Sequence, residues 1–308
     1  MKLVTFENNG VDRVGAVSAD GRSIVDLEAA AQMTGIDGSF GSMIEFLEAG
    51  EAGLRTAGSL LDSPDSRNLL RLDAARLRAP VPCPRKLFAL AGNYVEHIAE
   101  AGRAVEPQDK QTPRVFMKPP FSTVIGPGAD ILVPPIARSI DWEGELAVVI
   151  GKAAKGVSRQ EALDYVAGYT IMNDVSERDL KIWDRSDSRP QDKWFDWLNG
   201  KWLDTFAPQG PWIVTCDEIP DPQTLEISTY VNGERKQHSN TSQMIFPVAS
   251  IIEYISAFVR LDPGDIITTG TIAGVGAASG TFLSPGDQIK IVISQIGELC
   301  NGVAASDK

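Results

Sequence analysis

The sequence is poor in the residues that build disulfide scaffolds and zinc sites. Its 308 residues contain three cysteines, Cys83, Cys216 and Cys300, and two histidines, His97 and His238. An odd number of cysteines without Cys-x-x-Cys spacing excludes a disulfide framework and a zinc knuckle, and points to a reducing compartment. No apolar run approaches the roughly 20 residues needed to span a bilayer. Residues 1–8 lack the apolar stretch of a secretory signal, so the expected location is the cytoplasm. Positive charge is also scarce: 29 Lys and Arg face 41 Asp and Glu, a net charge of −12. That field excludes nucleic acid and an acidic membrane surface as partners. It also requires local cations wherever an anionic substrate binds. There is no internal repeat and no low-complexity segment.

Apolar residues make up 43% of the chain, ample for a core. Val14 to Val17 and Ser23 to Leu27 flank Ala19-Asp20-Gly21, a hairpin signal. Residues 40–62 carry helical spacing through Met43, Phe46, Leu47, Leu54, Leu60 and Leu61. Prolines 80, 82 and 84 mark an extended linker over 71–86. The expected organisation is therefore a small N-terminal α+β domain over 1–75 and a larger domain over 80–308. Strand signals dominate the larger part, with Asn232-Gly233 as a turn. Helices are expected over 159–167, 247–260 and 94–101. Strands and helices do not alternate regularly, which excludes a doubly wound sheet and predicts an α+β, mostly β fold.

The chemistry centres on Asp141-Trp142-Glu143-Gly144-Glu145, which runs into the apolar stretch Leu146 to Ile150. On a strand, Glu143 and Glu145 point to one face. A third acid, Asp174, ends the apolar run that starts at Val166. Three hard oxygen ligands without Cys or His suit Mg²⁺, Mn²⁺ or Ca²⁺. The alternative is a set of strand-end carboxylates satisfied by Lys or Arg, with Asp174 capping a helix near Ser176. His97 and Glu100, three apart on a helix, form an orienting carboxylate beside a general base. The alternative is an exposed pair on a short surface helix. Lys201, between Gly200 and a Pro/Gly cluster, is placed to polarise an oxyanion or else is solvated. In Gly270-Thr271-Ile272-Ala273-Gly274-Val275-Gly276 the glycines let backbone N–H groups approach a carboxylate, or form a plain turn.

Six segments in order resemble the fumarylacetoacetate hydrolase family. They are Gly92 to Glu100, Phe116-Met117-Lys118-Pro119-Pro120, Asp141 to Gly151, Gly168 to Asp179, Gly200-Lys201 through Asp204-Thr205-Phe206, and Thr269-Gly270-Thr271 through Gly276. The resemblance implies a mixed β-sandwich roll around a Mg²⁺ or Mn²⁺ ion, in a homodimer. It implies Glu143, Glu145 and Asp174 as metal ligands, His97 and Glu100 as a dyad on a lid helix, and Lys201 beside the metal. Arg178 and Thr271 match groups that hold the substrate's carboxylate end, and Gln243 matches a pocket residue.

Between Asp179 and Lys201 the chain departs from the acylpyruvate hydrolases with a longer segment rich in Trp, Arg and Asp. It includes Trp183, Arg185, Ser186, Asp187, Trp194 and Trp197, and is similar to the branch acting on 2,4-diketo-3-deoxy sugar acids. Its expected role is a pocket wall; the alternative is an interface loop. The activity implied is metal-dependent hydrolysis of a C–C bond in a 2,4-diketo acid, releasing pyruvate or an analogue. The alternative is an isomerase or decarboxylase of a 2-keto or 2-hydroxy-dienoic diacid or of oxaloacetate, acting through the same enolate.

Overall fold

The strand Gly144–Ile150 sits at the centre of the fold and is buried along its whole length. In this computed structural model, which describes all residues except 63, 103, 186–188 and 307–308, it pairs antiparallel with Val166–Asn173 on one side and Ile266–Thr268 on the other. A strand covered on both faces needs apolar residues at both parities, and Leu146 to Ile150 supply them.

Even-numbered Leu146, Val148 and Ile150 enter one core, shared with Ile227, Ile289 and Ile291 of a five-stranded sheet. Odd-numbered Ala147 and Val149 enter a second core with Leu3, Val14 and Ala16 and the helices Leu27–Thr34, Met43–Glu48 and Gly50–Asp62. Sheet therefore packs on sheet across one face and helices cover the other. Strands account for 34% of the chain and helices for 27%, the mixed α+β fold with strand in excess that the sequence predicts. The main sheet has twelve strands among the described residues, and its N-terminal hairpin joins the rest where Lys2–Asn8 pairs with Ala207–Thr215.

Local signals act as expected in several places. The hairpin aligns Val17 with Ile24. Asn232 and Gly233 turn the hairpin Glu226–Val231/Glu234–Asn240 with φ of 51° and 82°, the left-handed pair that a tight turn needs. Val248–Phe258 and Val95–Glu100 are helical.

Two local expectations fail. Residues 159–167 form a short 3₁₀ turn, Ala162–Tyr165, because from Val166 onward the chain is taken into the central sheet. No helix starts near Ser176; Ser176–Glu177 pairs as a short strand with Ile140–Asp141. The helix of this region comes later, at Pro190–Asn199, inside the Trp-rich segment. Proline at its start and Asp192 one turn in, bonded back to the backbone N–H of Arg189 at 3.2 Å, are its start signals.

Candidate active site

The three acids meet because of strand register. Gly144 pairs with Asn173, so the next pair outward is Glu143 with Asp174, and the Asp174 N–H donates to the Glu143 carbonyl at 2.9 Å. Glu145 lies on the same face as Glu143. One carboxylate oxygen from each of Glu143, Glu145 and Asp174 lies within 4.8 Å of the others, and all three residues are buried.

Cations compensate this cluster, in two cases through lysines that are themselves buried. The Lys201 ammonium donates to Glu143 Oε2 at 2.7 Å and to Asp174 Oδ2 at 2.8 Å. Lys118 donates to Asp174 Oδ1 at 2.6 Å with no side-chain exposure. Arg178 bridges Glu143 Oε1, at 2.5 Å, and Asp141 Oδ2, at 2.8 Å. Asp141 is fixed in turn by the N–H groups of Gly276 and Ala277, at 2.6 and 2.9 Å. The expectation that Lys or Arg would satisfy the carboxylates thus holds alongside the metal-ligand geometry.

The balance of forces differs at each group. Burial opposes ionisation of Glu143, but Lys201 and Arg178 outweigh it and hold the carboxyl down at about 2. Burial disfavours the Lys201 ammonium, yet Asp174 and Glu143 overcome it and raise its pKa. For Lys118 burial wins over the attraction of Asp174, and its pKa is lowered. Glu145 is pushed well above the usual carboxylate range, by burial first and then by the charges of Asp174 and Glu143.

Glu145 also shows what the cluster lacks. Its Oε2 accepts from the Gly270 N–H at 2.8 Å, while its Oε1 is buried without a hydrogen-bond partner. A buried, unpaired carboxylate oxygen costs stability unless something binds it. All-oxygen donors, one of them orphaned and facing two other carboxylates, fit a hard divalent cation. Gly270 holds φ of 86°, and a Cβ there would lie 2.9 Å from Asn93 Cβ, so only glycine delivers this N–H to Glu145.

The helix Val95–Glu100 carries the dyad. His97 Nδ1 lies 2.6 Å from Glu100 Oε1, and Glu100 Oε2 accepts from the Gly274 N–H at 2.8 Å. The glycine-rich turn therefore presents N–H groups to carboxylates of the protein itself, at Gly270 and at Gly274. Both dyad side chains are largely covered, 20% and 18% exposed, rather than free on a surface helix.

A cavity of about 890 Å³ joins these parts; His97, Glu100, Glu143, Arg178, Lys201 and Thr271 line it. Thr271 lies on the wall, its hydroxyl donating to the Gly144 carbonyl at 3.1 Å and accepting from Gln237 at 2.9 Å. Gln243 is exposed and lies outside the lining. The buried glutamine at the site is Gln237, whose Oε1 also accepts from the Gly144 N–H at 3.0 Å.

Sequence reasoning gave no role to Gln237, Asp141 or Lys118. The last two fall inside segments that carried the resemblance, but a lysine or aspartate is usually solvated and nothing local marks these as buried. The Trp-rich segment contributes a wall: Pro190, Lys193, Trp194 and Trp197 line the cavity. Lys201 Nζ lies 5.7 Å from the Trp197 ring and 5.6 Å from the Phe116 ring, a cation–π arrangement. Arg185 pairs with Asp196, at 2.5 Å, and Trp183 is 79% exposed. Ser186 and Asp187 lie outside the described residues. Gly200 lies against the Glu177 carbonyl, where a Cβ would come within 2.2 Å, so glycine lets the chain turn Lys201 into the cluster.

Comparison with known proteins decides the lineage. The family model for the fumarylacetoacetate (FAA) hydrolase C-terminal domain matches residues 86–304. The chain belongs to the fumarylacetoacetate hydrolase family.

It is 40% identical to the mitochondrial oxaloacetate tautomerase fahd2 of Xenopus laevis, over 98% of this chain and 90% of that protein. Among solved structures it resembles maleylpyruvate hydrolase from Sphingobium sp. SYK-6 in complex with manganese(II) and pyruvate, with 31% identity, a TM-score of 0.76 and full coverage of both chains. It also resembles 5-carboxymethyl-2-hydroxymuconate delta-isomerase from Mycobacterium smegmatis, with 32% identity, a TM-score of 0.74 and full coverage of both. The protein is an enzyme of this family, and its relatives include hydrolases and isomerases. Among the described residues no helix is long and apolar enough to cross a membrane.

Proposed function

We propose that this protein is a divalent-metal-dependent tautomerase of 2-oxo diacids, with oxaloacetate as the test substrate. The observation that carries the reading is the dyad: His97 and Glu100, locked to Gly274, line the same cavity as the carboxylate cluster. Full-length similarity to an oxaloacetate tautomerase at 40% identity supports it.

Glu143, Glu145 and Asp174 would hold Mg²⁺ or Mn²⁺. The bound ion supplies electrophilic stabilisation of the negative oxygen that forms when a 2-oxo acid enolises. The chain's residues do the rest. With Glu100 accepting from Nδ1–H, the His97 imidazole is fixed in the tautomer whose Nε2 is a free base. That nitrogen removes the C3 proton of the keto acid and delivers it to the C2 oxygen to give the enol, or runs the same transfer in reverse, while Glu100 stabilises the imidazolium between the two transfers. The Lys201 ammonium adds positive charge on the side where the enolate oxygen develops. Trp194 and Trp197 form part of the cavity wall.

A second reading is hydrolysis of a C–C bond in a 2,4-diketo acid, with the dyad activating water. It is favoured by the full-length likeness to a maleylpyruvate hydrolase; a diketo-deoxy sugar acid is its extended substrate. A homodimer in the cytoplasm completes the proposal.

The deciding experiment mixes enol oxaloacetate with enzyme and Mn²⁺ in a stopped-flow spectrometer and assays pyruvate in the same samples. Enzyme-dependent loss of the enol absorbance without pyruvate supports the tautomerase. Pyruvate released from maleylpyruvate or another diketo acid, with no acceleration of the oxaloacetate step, supports the second reading.

A further inference from the structure

Most of the described cations in this acidic chain pair with carboxylates, and the site follows the same rule. Lys118, Lys201 and Arg178 are each bonded to acids of the cluster. Four acids (Asp141, Glu143, Glu145, Asp174) face these three cations, a balance of −1. A divalent ion would make it +1, enough for one carboxylate of a substrate and not for a second.

Two further cations line the cavity: Arg114, at the start of the strand Arg114–Met117, and Lys193, on the helix Pro190–Asn199. Neither has an ion-pair or hydrogen-bond partner for its side chain among the described residues. Both are exposed, and they come from two different elements of the cavity wall. The cations near Lys193 in sequence behave differently: Arg185 pairs with Asp196, Arg189 with Asp192 and Lys181 with Asp179. An Arg and a Lys left free at the opening of a cavity, in a protein of net charge −12, are available to an incoming anion.

We propose that Arg114 and Lys193 hold the second carboxylate of the substrate, the one remote from the reacting carbons, and so set the preference for diacids. This rests on the tautomerase reading for the nature of the 2-oxo end and adds the residues that read the other end. The Arg guanidinium offers a two-pronged donor to a carboxylate, and Lys a point charge from the other element. Because Lys193 sits on the Trp-rich helix, that helix contributes to recognition beyond enclosing the cavity.

The test compares oxaloacetate with its 4-methyl ester, which keeps the 2-oxo acid but neutralises the far end. Binding of each to Mn²⁺-loaded protein is measured by calorimetry, alongside the KM and kcat of enzyme-dependent C3 proton exchange. Charge-assisted bonds of this kind predict that the diacid binds about 10–100-fold tighter than the ester in the wild type. In R114Q and K193Q that ratio should fall about 10-fold each, through KM for the diacid, with the ester unaffected and kcat nearly constant. A charge-retaining R114K should recover part of the preference, which a general folding defect would not.

A ratio near 1 in the wild type, or one that neither substitution moves, overturns the assignment while leaving the tautomerase reading in place. If neither ligand binds the Mn²⁺-loaded protein, both the assignment and the tautomerase reading fail.

Discussion

Replacing Lys201 by Met tests how the buried acids are held. Lys201 is buried and its Nζ bonds both Glu143 and Asp174. Removing one partner of a buried ion pair costs about 3–5 kcal/mol, because the remaining charge is left uncompensated. Arg178 on Glu143 and Lys118 on Asp174 remain, so the loss stays within that range rather than doubling. For 308 residues the unfolding entropy is roughly 650 cal/mol/K, so K201M should melt about 5–8 °C lower in EDTA. A divalent ion restores positive charge to the same acids, so Mn²⁺ should raise the Tm of K201M more than that of the wild type. K118M gives an internal contrast. Burial already lowers the Lys118 pKa, so that ammonium is less favourable where it sits, and its removal should cost less. The assay is scanning calorimetry of the three proteins with EDTA or Mn²⁺. A K201M deficit of under 1 °C in EDTA, or one of equal size with and without Mn²⁺, would refute this account of the cluster.

Three further outcomes follow from the site. Glu145 is neutral more readily than usual, so the stability it contributes is present below the ordinary carboxylate range and lost as pH rises through its raised pKa. Metal-free E145Q should therefore melt above wild type at pH 8, lose that advantage near pH 4, and show no rise with Mn²⁺, all read by calorimetry in EDTA and in Mn²⁺. Glu143 has the opposite sign: its stabilisation is present above about 4.5 and lost as pH falls toward about 2. Acid unfolding followed by circular dichroism should therefore show a shallower loss for E143Q over that window. W194A opens the cavity wall and should raise KM for large substrates more than for oxaloacetate, as steady-state kinetics would show.

The part of the site that was legible in the sequence is the part encoded by short-range geometry. Residues two apart on a strand share a face, so Glu143 and Glu145 pair by spacing alone. Residues three apart on a helix meet, so His97 and Glu100 pair the same way. The turn at Asn232-Gly233 was legible for the same reason, since few residues accept its backbone. Long-range packing was not. Lys118 reads as an ordinary lysine until the strand ending at Asn173 brings Asp174 against it. Gln243 and Gln237 lie six residues apart, and only the packing of Glu234–Asn240 under Gly144 distinguishes the buried one. The helix Pro190–Asn199 was overlooked because Trp194 and Phe195 are exposed and leave no clean apolar stripe, although its proline start and Asp192 were readable. Residues 159–167 show the reverse error, where a weak helical pattern yielded to pairing in the central sheet.

The central claim is that His97 moves a proton at C3 of a 2-oxo acid. Its most direct test is deuterium incorporation at C3 of oxaloacetate in D₂O, followed by NMR with Mg²⁺-loaded wild type and H97N and corrected for the uncatalysed rate. The account predicts that wild type accelerates exchange without forming pyruvate. It predicts that H97N loses on the order of 10²–10⁴-fold of that acceleration, while Mn²⁺ affinity by calorimetry stays unchanged. Exchange by H97N at the wild-type rate, with the metal bound as tightly, would contradict it.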